Sequence, residues 1–207
     1  LAVDFETAAT CTLTVTSLSD DGSTSTASFD VQITDYDEFD VTQPVDDNDD
    51  DNEIPEDATA GTSANITASS SDADGTTNAV TYSIVSQTCN GAFSIDSSSG
   101  DVSVAAPSAI DYEVATTCSI AIRATSADGS TADSTFVVEI TDVNDVAPQY
   151  AATDANPDVS EGTTSVDTLA ITDEDSTGSY ACTLTGDDSL LFTCVVTGSS
   201  ATLAFQV

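Results

Sequence analysis

The sequence predicts an all-β chain of tandem Greek-key β-sandwich repeats, each about 105 residues long. Three observations predict it. Stretches such as Cys118-Ser119-Ile120-Ala121-Ile122 alternate apolar with polar or small side chains, the period of a half-buried strand. Lys is absent and Glu sparse, while Val, Ile, Thr and Tyr, which suit a pleated surface, recur throughout. Residues 3–35 return at 110–142 with a constant offset of 107 (110 − 3), the length of one sandwich domain.

The repeat is carried by specific positions. Val3-Asp4-Phe5-Glu6 aligns with Ile110-Asp111-Tyr112-Glu113, Cys11 with Cys118, Asp21-Gly22 with Asp128-Gly129, and Ile33-Thr34-Asp35 with Ile140-Thr141-Asp142. A third copy opens after Pro148: Glu56 returns as Glu161, Asp72-Ala73-Asp74 as Asp173-Glu174-Asp175, Tyr82 as Tyr180 and Phe93 as Phe192. The expected organisation is the back of one repeat (1–39), a complete repeat (40–147) and the front of a third (148–207), a segment of a longer array.

In the complete repeat, strands are expected at 63–68, 79–85, 93–96, 102–104, 118–124 and 136–140. Asp74-Gly75, Asn90-Gly91, Ser98-Ser99-Gly100-Asp101 and Asp128-Gly129 supply the turns between them. About seven short strands at this spacing make a Greek-key sandwich.

Composition narrows the function. One Arg, no Lys and no His face 37 acidic residues, a net charge of −36. Such a chain repels itself unless cations neutralise it. Nucleic acid and anionic membrane surfaces find no positive charge to contact, so neither is an expected partner. No stretch approaches the roughly 20 apolar residues of a membrane span, and the first residues carry neither a basic region nor a long apolar run, so no signal peptide is read there. Catalysis has no foothold without His, Lys or a Gly-framed Ser; the expectation is a binding or structural module and not an enzyme. Five cysteines without CxxC spacing, in a chain with no His, argue against a zinc site; they are either buried thiols or disulfides of an oxidising compartment.

Taken together in order, Pro55-Glu56, Gly61-Thr62, Asp72-Ala73-Asp74-Gly75, Val80-Thr81-Tyr82-Ser83-Ile84, Phe93-Ser94-Ile95-Asp96, Gly100-Asp101-Val102, Asp111-Tyr112-Glu113, Ala127-Asp128-Gly129 and Asp142-Val143-Asn144-Asp145-Val146-Ala147-Pro148 resemble the cadherin repeat. Val146 departs from the family's usual Asn in the linker. The earlier linker, Asp35-Tyr36-Asp37-Glu38-Phe39, lacks both Asn and Ala-Pro.

The resemblance implies calcium held at each junction between repeats by carboxylates of the preceding repeat, the linker and the next repeat. At the first junction the matching positions are Asp4, Glu6, Asp35, Asp37, Asp72, Asp74 and Asp128. At the second they are Glu56, Asp111, Glu113, Asp142, Asn144, Asp145, Asp173 and Asp175. Calcium takes six to eight oxygen ligands in flexible geometry, which such sets can supply. The repeat also suggests disulfides Cys89–Cys118 and Cys182–Cys194, with Cys11 left single. Asn65-Ile66-Thr67 is an N-glycosylation sequon with Ile66 expected inward and Asn65 outward. The acidic run Asp46 to Asp51 lacks the Gly and Glu of an EF-hand and is expected to be a solvated tract. Arg123 is expected to pair with a nearby Asp.

The functional expectation is a calcium-binding extracellular segment acting in adhesion, with other cadherin-like repeats as homophilic or self-assembling partners. The alternatives are a structural subunit of an extracellular filament or matrix and a cation-sequestering acidic matrix protein.

Overall fold

A computed structural model describes residues 3–151, 157–175 and 179–206. The chain divides into two compact units, one of Leu1–Asp111 with Ala115–Ile140, the other of Tyr112–Val114 with Thr141–Val207.

The first unit begins with a hairpin of β1 (Thr10–Leu18) and β2 (Thr24–Gln32), antiparallel in the register Cys11↔Val31, Leu13↔Phe29. Pleating puts Cys11, Leu13, Val15, Ala27, Phe29 and Val31 on one face. The other face is polar and tied across the strands: the Thr12 hydroxyl donates to Asp30 at 2.6 Å, and Thr10 donates to Gln32 at 3.1 Å.

The rest of the unit is a sandwich of two four-stranded sheets. Its strands are β3 (Val45–Asp46), β4 (Glu53–Pro55), β5 (Ser63–Ser69), β6 (Val80–Gln87), β7 (Phe93–Ile95), β8 (Asp101–Val104), β9 (Thr117–Ser126) and β10 (Thr131–Thr141). One sheet has the order β4-β10-β9-β6, the other β3-β5-β8-β7. The predicted strands are present, and two short ones, β3 and β4, join them. β4 lies on a sheet edge, where Pro55, lacking an N–H, is tolerated.

Period-2 alternation decides which side chains enter the core. In β9, Cys118, Ile120, Ile122, Ala124 and Ser126 are buried while the residues between them face outward. In β5, Ala64, Ile66 and Ala68 do the same, and Ile54, Phe93, Val102, Val104, Val138 and Ile140 close the space between the sheets. Cys89 and Cys118 are joined, with Cα atoms 5.7 Å apart. At the β7–β8 turn, Gly100 has φ +79°, and a Cβ there would lie 2.1 Å from the Ala68 carbonyl oxygen. Only Gly fits this close approach.

Ile66 is buried as expected, and Asn65 is half-buried at an irregularity in the β5–β8 pairing. Its φ is +57°, and its amide nitrogen donates to the Asp51 carbonyl at 2.9 Å. The acidic run after β3 is more ordered than a solvated tract. Asp46 accepts from the N–H groups of Thr67 (3.0 Å) and Asn48 (3.2 Å) and from the Asn52 amide (3.1 Å). This corrects the expectation for Asp46: with three donors to hold, the carboxylate organises the loop.

The second unit is built on one four-stranded sheet, β11-β12-β14-β13. Its strands are β11 (Gln149–Ala151), β12 (Ser165–Thr172), β13 (Phe192–Thr197) and β14 (Ser200–Phe205). Cys182 and Cys194 are joined across 6.1 Å between Cα atoms, and Cys11 is single and exposed. No helix among the described residues is long and apolar enough to cross a membrane.

Candidate metal centres

Three carboxylate clusters lie in the first unit, where the loop after residue 33 meets the loop between β5 and β6. Asp4, Glu6 and Glu38 form one; Glu6, Asp35 and Asp74 a second; Asp37, Asp74 and Asp128 a third. Within each, the ligand oxygens lie within 4.8 Å of one another. Glu6 and Asp74 each belong to two clusters, so seven carboxylates form one continuous acidic chain.

Local structure positions five of them. Asp4 caps the turn that follows it, accepting from the N–H groups of Glu6 (3.0 Å) and Thr7 (3.2 Å) and from the Thr7 hydroxyl (2.8 Å). Those bonds, led by the Thr7 hydroxyl, hold the Asp4 carboxyl below its usual range. Glu6 accepts the Gly75 N–H at 2.9 Å, which fastens the segment before β1 to the β5–β6 loop. Asp35 accepts the Thr76 hydroxyl. Asp74 is 1% exposed and accepts the N–H groups of Glu38 (3.2 Å) and Phe39 (3.3 Å). Asp128 accepts the Ser130 N–H at 2.6 Å, and the Ser130 hydroxyl accepts Val41 N–H at 3.0 Å.

Crowded carboxylates resist ionisation. The Asp37 carboxyl is pushed up to about 6, first by loss of water around it and then by Asp74 and Asp128. Glu38 is raised too, first by loss of water and then by Glu6, Asp74, Asp35 and Asp4. The sign for stability follows. A carboxyl whose folded pKa exceeds its unfolded value of 3.8 takes up a proton on folding. Without a cation, its ionisation opposes the fold as pH rises through about 6, and protonation relieves it below that.

The protein offers no cation of its own here. Arg123, the one basic residue, sits opposite Asp133 on β9 and β10 and donates to both of its oxygens at 2.7 and 2.8 Å. Meanwhile Asp35 Oδ1 and Asp72 Oδ2 are buried without a hydrogen-bond partner. Oxygen-only donors, crowding and orphaned buried oxygens fit a hard divalent cation.

In the second unit, Glu113, Asp145 and Asp175 bring ligand oxygens within 4.8 Å of one another. Asp175 is buried; its Oδ2 accepts Val146 N–H at 3.0 Å, and its Oδ1 is buried without a partner. Asp173 accepts the Asp175 N–H at 3.3 Å and serves as a loop acceptor. Asp72 does the same for Asp74 at 3.1 Å. Glu56 is buried in the turn after β4, Asp111 precedes the turn before β9, and Asp142 and Asn144 lie in the strand-free segment after β10. Glu38 was absent from the predicted ligands. Its signal was in the sequence: at the 107-residue offset Glu38 aligns with Asp145, which was among the predicted ligands.

A family model for the cadherin domain matches residues 51–141. These residues are a cadherin repeat. A 103-residue stretch is 37% identical to the protocadherin-like wing polarity protein stan of Drosophila melanogaster, covering 47% of this chain and 3% of that protein. Among solved structures, the protocadherin gamma B4 extracellular domain is 25% identical with a TM-score of 0.72, over 99% of this chain and 33% of that one. Mouse cadherin-23 EC22–24 is 22% identical with a TM-score of 0.64, over 100% of this chain and 67% of that one. Protocadherin gamma B7 extracellular cadherin domains 1–4 give 22% and 0.69, over 99% and 51%. The matched residues run from β4 to β10 and so take in most of the two sheets described above.

Proposed function

We propose that this chain is a calcium-binding segment of an extracellular cadherin-like array, acting in calcium-dependent adhesion with other cadherin-like repeats as partners. The observation that carries this is the shared-residue chain of carboxylates around Asp74 in a protein with no spare cation. Calcium supplies the positive charge that lets Asp37 and its neighbours ionise together. Asp4, Glu6, Asp35, Asp37, Glu38, Asp74 and Asp128 would hold it in the first unit, with Asp72 beside them. Glu113, Asp145 and Asp175 would do so in the second, with Glu56, Asp111, Asp142, Asn144 and Asp173 as the further family-matched positions.

In this reading residues 1–39 are the back of one repeat, 40–147 a complete repeat and 148–207 the front of a third. Calcium stiffens the loops that carry these ligands, because it replaces mutual repulsion with shared ligands. Asn65 carries an N-glycan, its remaining amide hydrogen still able to reach the Asp51 carbonyl.

Beads coated with the chain test adhesion. They should aggregate in calcium and disperse in chelator. Dispersed beads in calcium, with the chain still melting at a higher temperature there than in chelator, would remove adhesion and leave metal binding standing.

A further inference from the structure

Phe5 is the one half-buried side chain in a segment that is otherwise exposed; Val3, Asp4, Glu6 and Thr7 around it face solvent. The segment is a tight turn. The Asp4 carboxylate accepts the N–H groups of Glu6 and Thr7, and its carbonyl accepts the Ala8 N–H at 3.1 Å. Phe5 therefore stands between two carboxylates of the acidic chain, Asp4 and Glu6. At the 107-residue offset the same place is held by Tyr112, so an aromatic ring recurs there.

The ring has a specific seat, Gly75, which follows the buried Asp74. A Cβ on Gly75 would lie 2.6 Å from Cε1 and 2.7 Å from Cδ1 of Phe5, and 3.1 Å from Oε1 of Glu6. Any side chain at 75 would displace the ring. Every other described glycine has a positive φ, and Gly75 does not. Glycine is thus required here for space and not for backbone conformation.

Two polar contacts flank the ring. The Gly75 N–H donates to Glu6 at 2.9 Å, and the Thr76 hydroxyl donates to Asp35. Glu6, Asp35 and Asp74 are one of the carboxylate clusters, so the contacts that join residues 4–8 to residues 72–76 also set where its oxygens lie. Like charges on the two segments push them apart when no ion is bound. The Phe5–Gly75 contact carries no charge, and it holds whether or not the carboxylates around it are ionised.

We propose that Phe5, seated on Gly75, is a positioning residue for the first unit's metal site. It keeps the turn at 4–8 against the loop at 72–76 before an ion arrives, and so raises calcium affinity without supplying a ligand. The proposal rests on the metal reading above. The gain is that of preorganisation: segments already in place lose less freedom on binding. Removing groups that hold metal ligands in place costs about 10- to 100-fold in affinity.

The test is a titration with calcium, buffered by a chelator and followed by the amide signals of Gly75 for the first unit and Val146 for the second. In Phe5→Ala the midpoint at Gly75 should move to about tenfold higher free calcium, while the midpoint at Val146 stays. Gly75→Ala should do the same, because its Cβ evicts the ring. The double variant should bind no more weakly than Phe5→Ala, since the ring is already gone and the two losses do not add. Phe5→Tyr, the residue the repeat itself uses at 112, should bind as the unmodified chain does. In chelator, exchange of the Gly75 amide should quicken several-fold in Phe5→Ala, a readout that stands even where Gly75→Ala fails to fold. Unmodified affinity in Phe5→Ala would overturn the proposal alone. Additive losses in the double variant, or equal losses at Gly75 and Val146, would overturn it in favour of general packing. No calcium response at either amide of the unmodified chain would defeat the metal reading and the proposal with it.

Discussion

Asp74→Asn should shrink the stabilising effect of calcium on the first unit. Asp74 is buried and contributes to two of the three carboxylate clusters there. Asn keeps the volume but a single acceptor oxygen, so it holds one of the Glu38 and Phe39 N–H groups, which Asp74 accepts on separate oxygens in long bonds of 3.2 and 3.3 Å. It removes a charge that crowds Asp37. In chelator the variant should therefore melt higher than the parent, since one source of repulsion is gone. In calcium it should melt lower, because two ion sites each lose a ligand. A ligand at a hundred times its Kd stabilises the folded state by about 2.7 kcal/mol, so losing one such site removes an amount of that order. A variant that melts below the parent in both conditions would show that Asp74 serves the loop backbone and not a cation. Scanning calorimetry of the two proteins, each with calcium and with chelator, makes the comparison.

Ile122→Ala should cost about 2–5 kcal/mol, the range for deleting a fully buried aliphatic side chain that leaves a cavity. Ile122 is completely enclosed on β9, between the two sheets of the complete repeat. The informative control is Val15→Ala. Val15 holds the same repeat position on β1, but its face is open, so at low protein concentration the change should stay within about 0.5 kcal/mol. Denaturant unfolding of both variants decides it. Equal losses at the two positions would mean that the hairpin face is covered in solution even when dilute.

That contrast also shows what was legible in the sequence. The alternation in Thr117–Ser126 and Ser63–Ser69 depends only on neighbouring residues, so strands and inward faces could be read directly. The strands β3 and β4 could not. They are two and three residues long and flank an acidic run, where no period can establish itself. Their pairing is imposed by β5 and β10, which are remote in sequence. The clusters divide in the same way. Asp4, Glu6, Asp35, Asp37, Asp74 and Asp128 recur at repeat spacing and were visible as a set. Glu38 also recurs at that spacing, as Asp145, but was passed over; the loop that carries its N–H to Asp74 brings it into the cluster. Asp46 looked like one more solvated acid because three donors from residues 48, 52 and 67 converge on it only after folding.

The central claim is that a divalent cation joins these carboxylates, and calorimetric titration of the chain with calcium at pH 7 and pH 5 tests it most directly. At pH 7 Asp37, whose carboxyl titrates near 6, is largely ionised and needs to lose little proton to bind. At pH 5 the ion must displace that proton, so affinity should fall and proton release should rise. Magnesium, which demands tight octahedral geometry and sheds water reluctantly, should bind more weakly than calcium at both. More than one calcium bound at pH 7, weakened at pH 5 and not matched by magnesium, is the predicted result. No binding heat at pH 7, or equal affinity for both ions at both pH values, would contradict it.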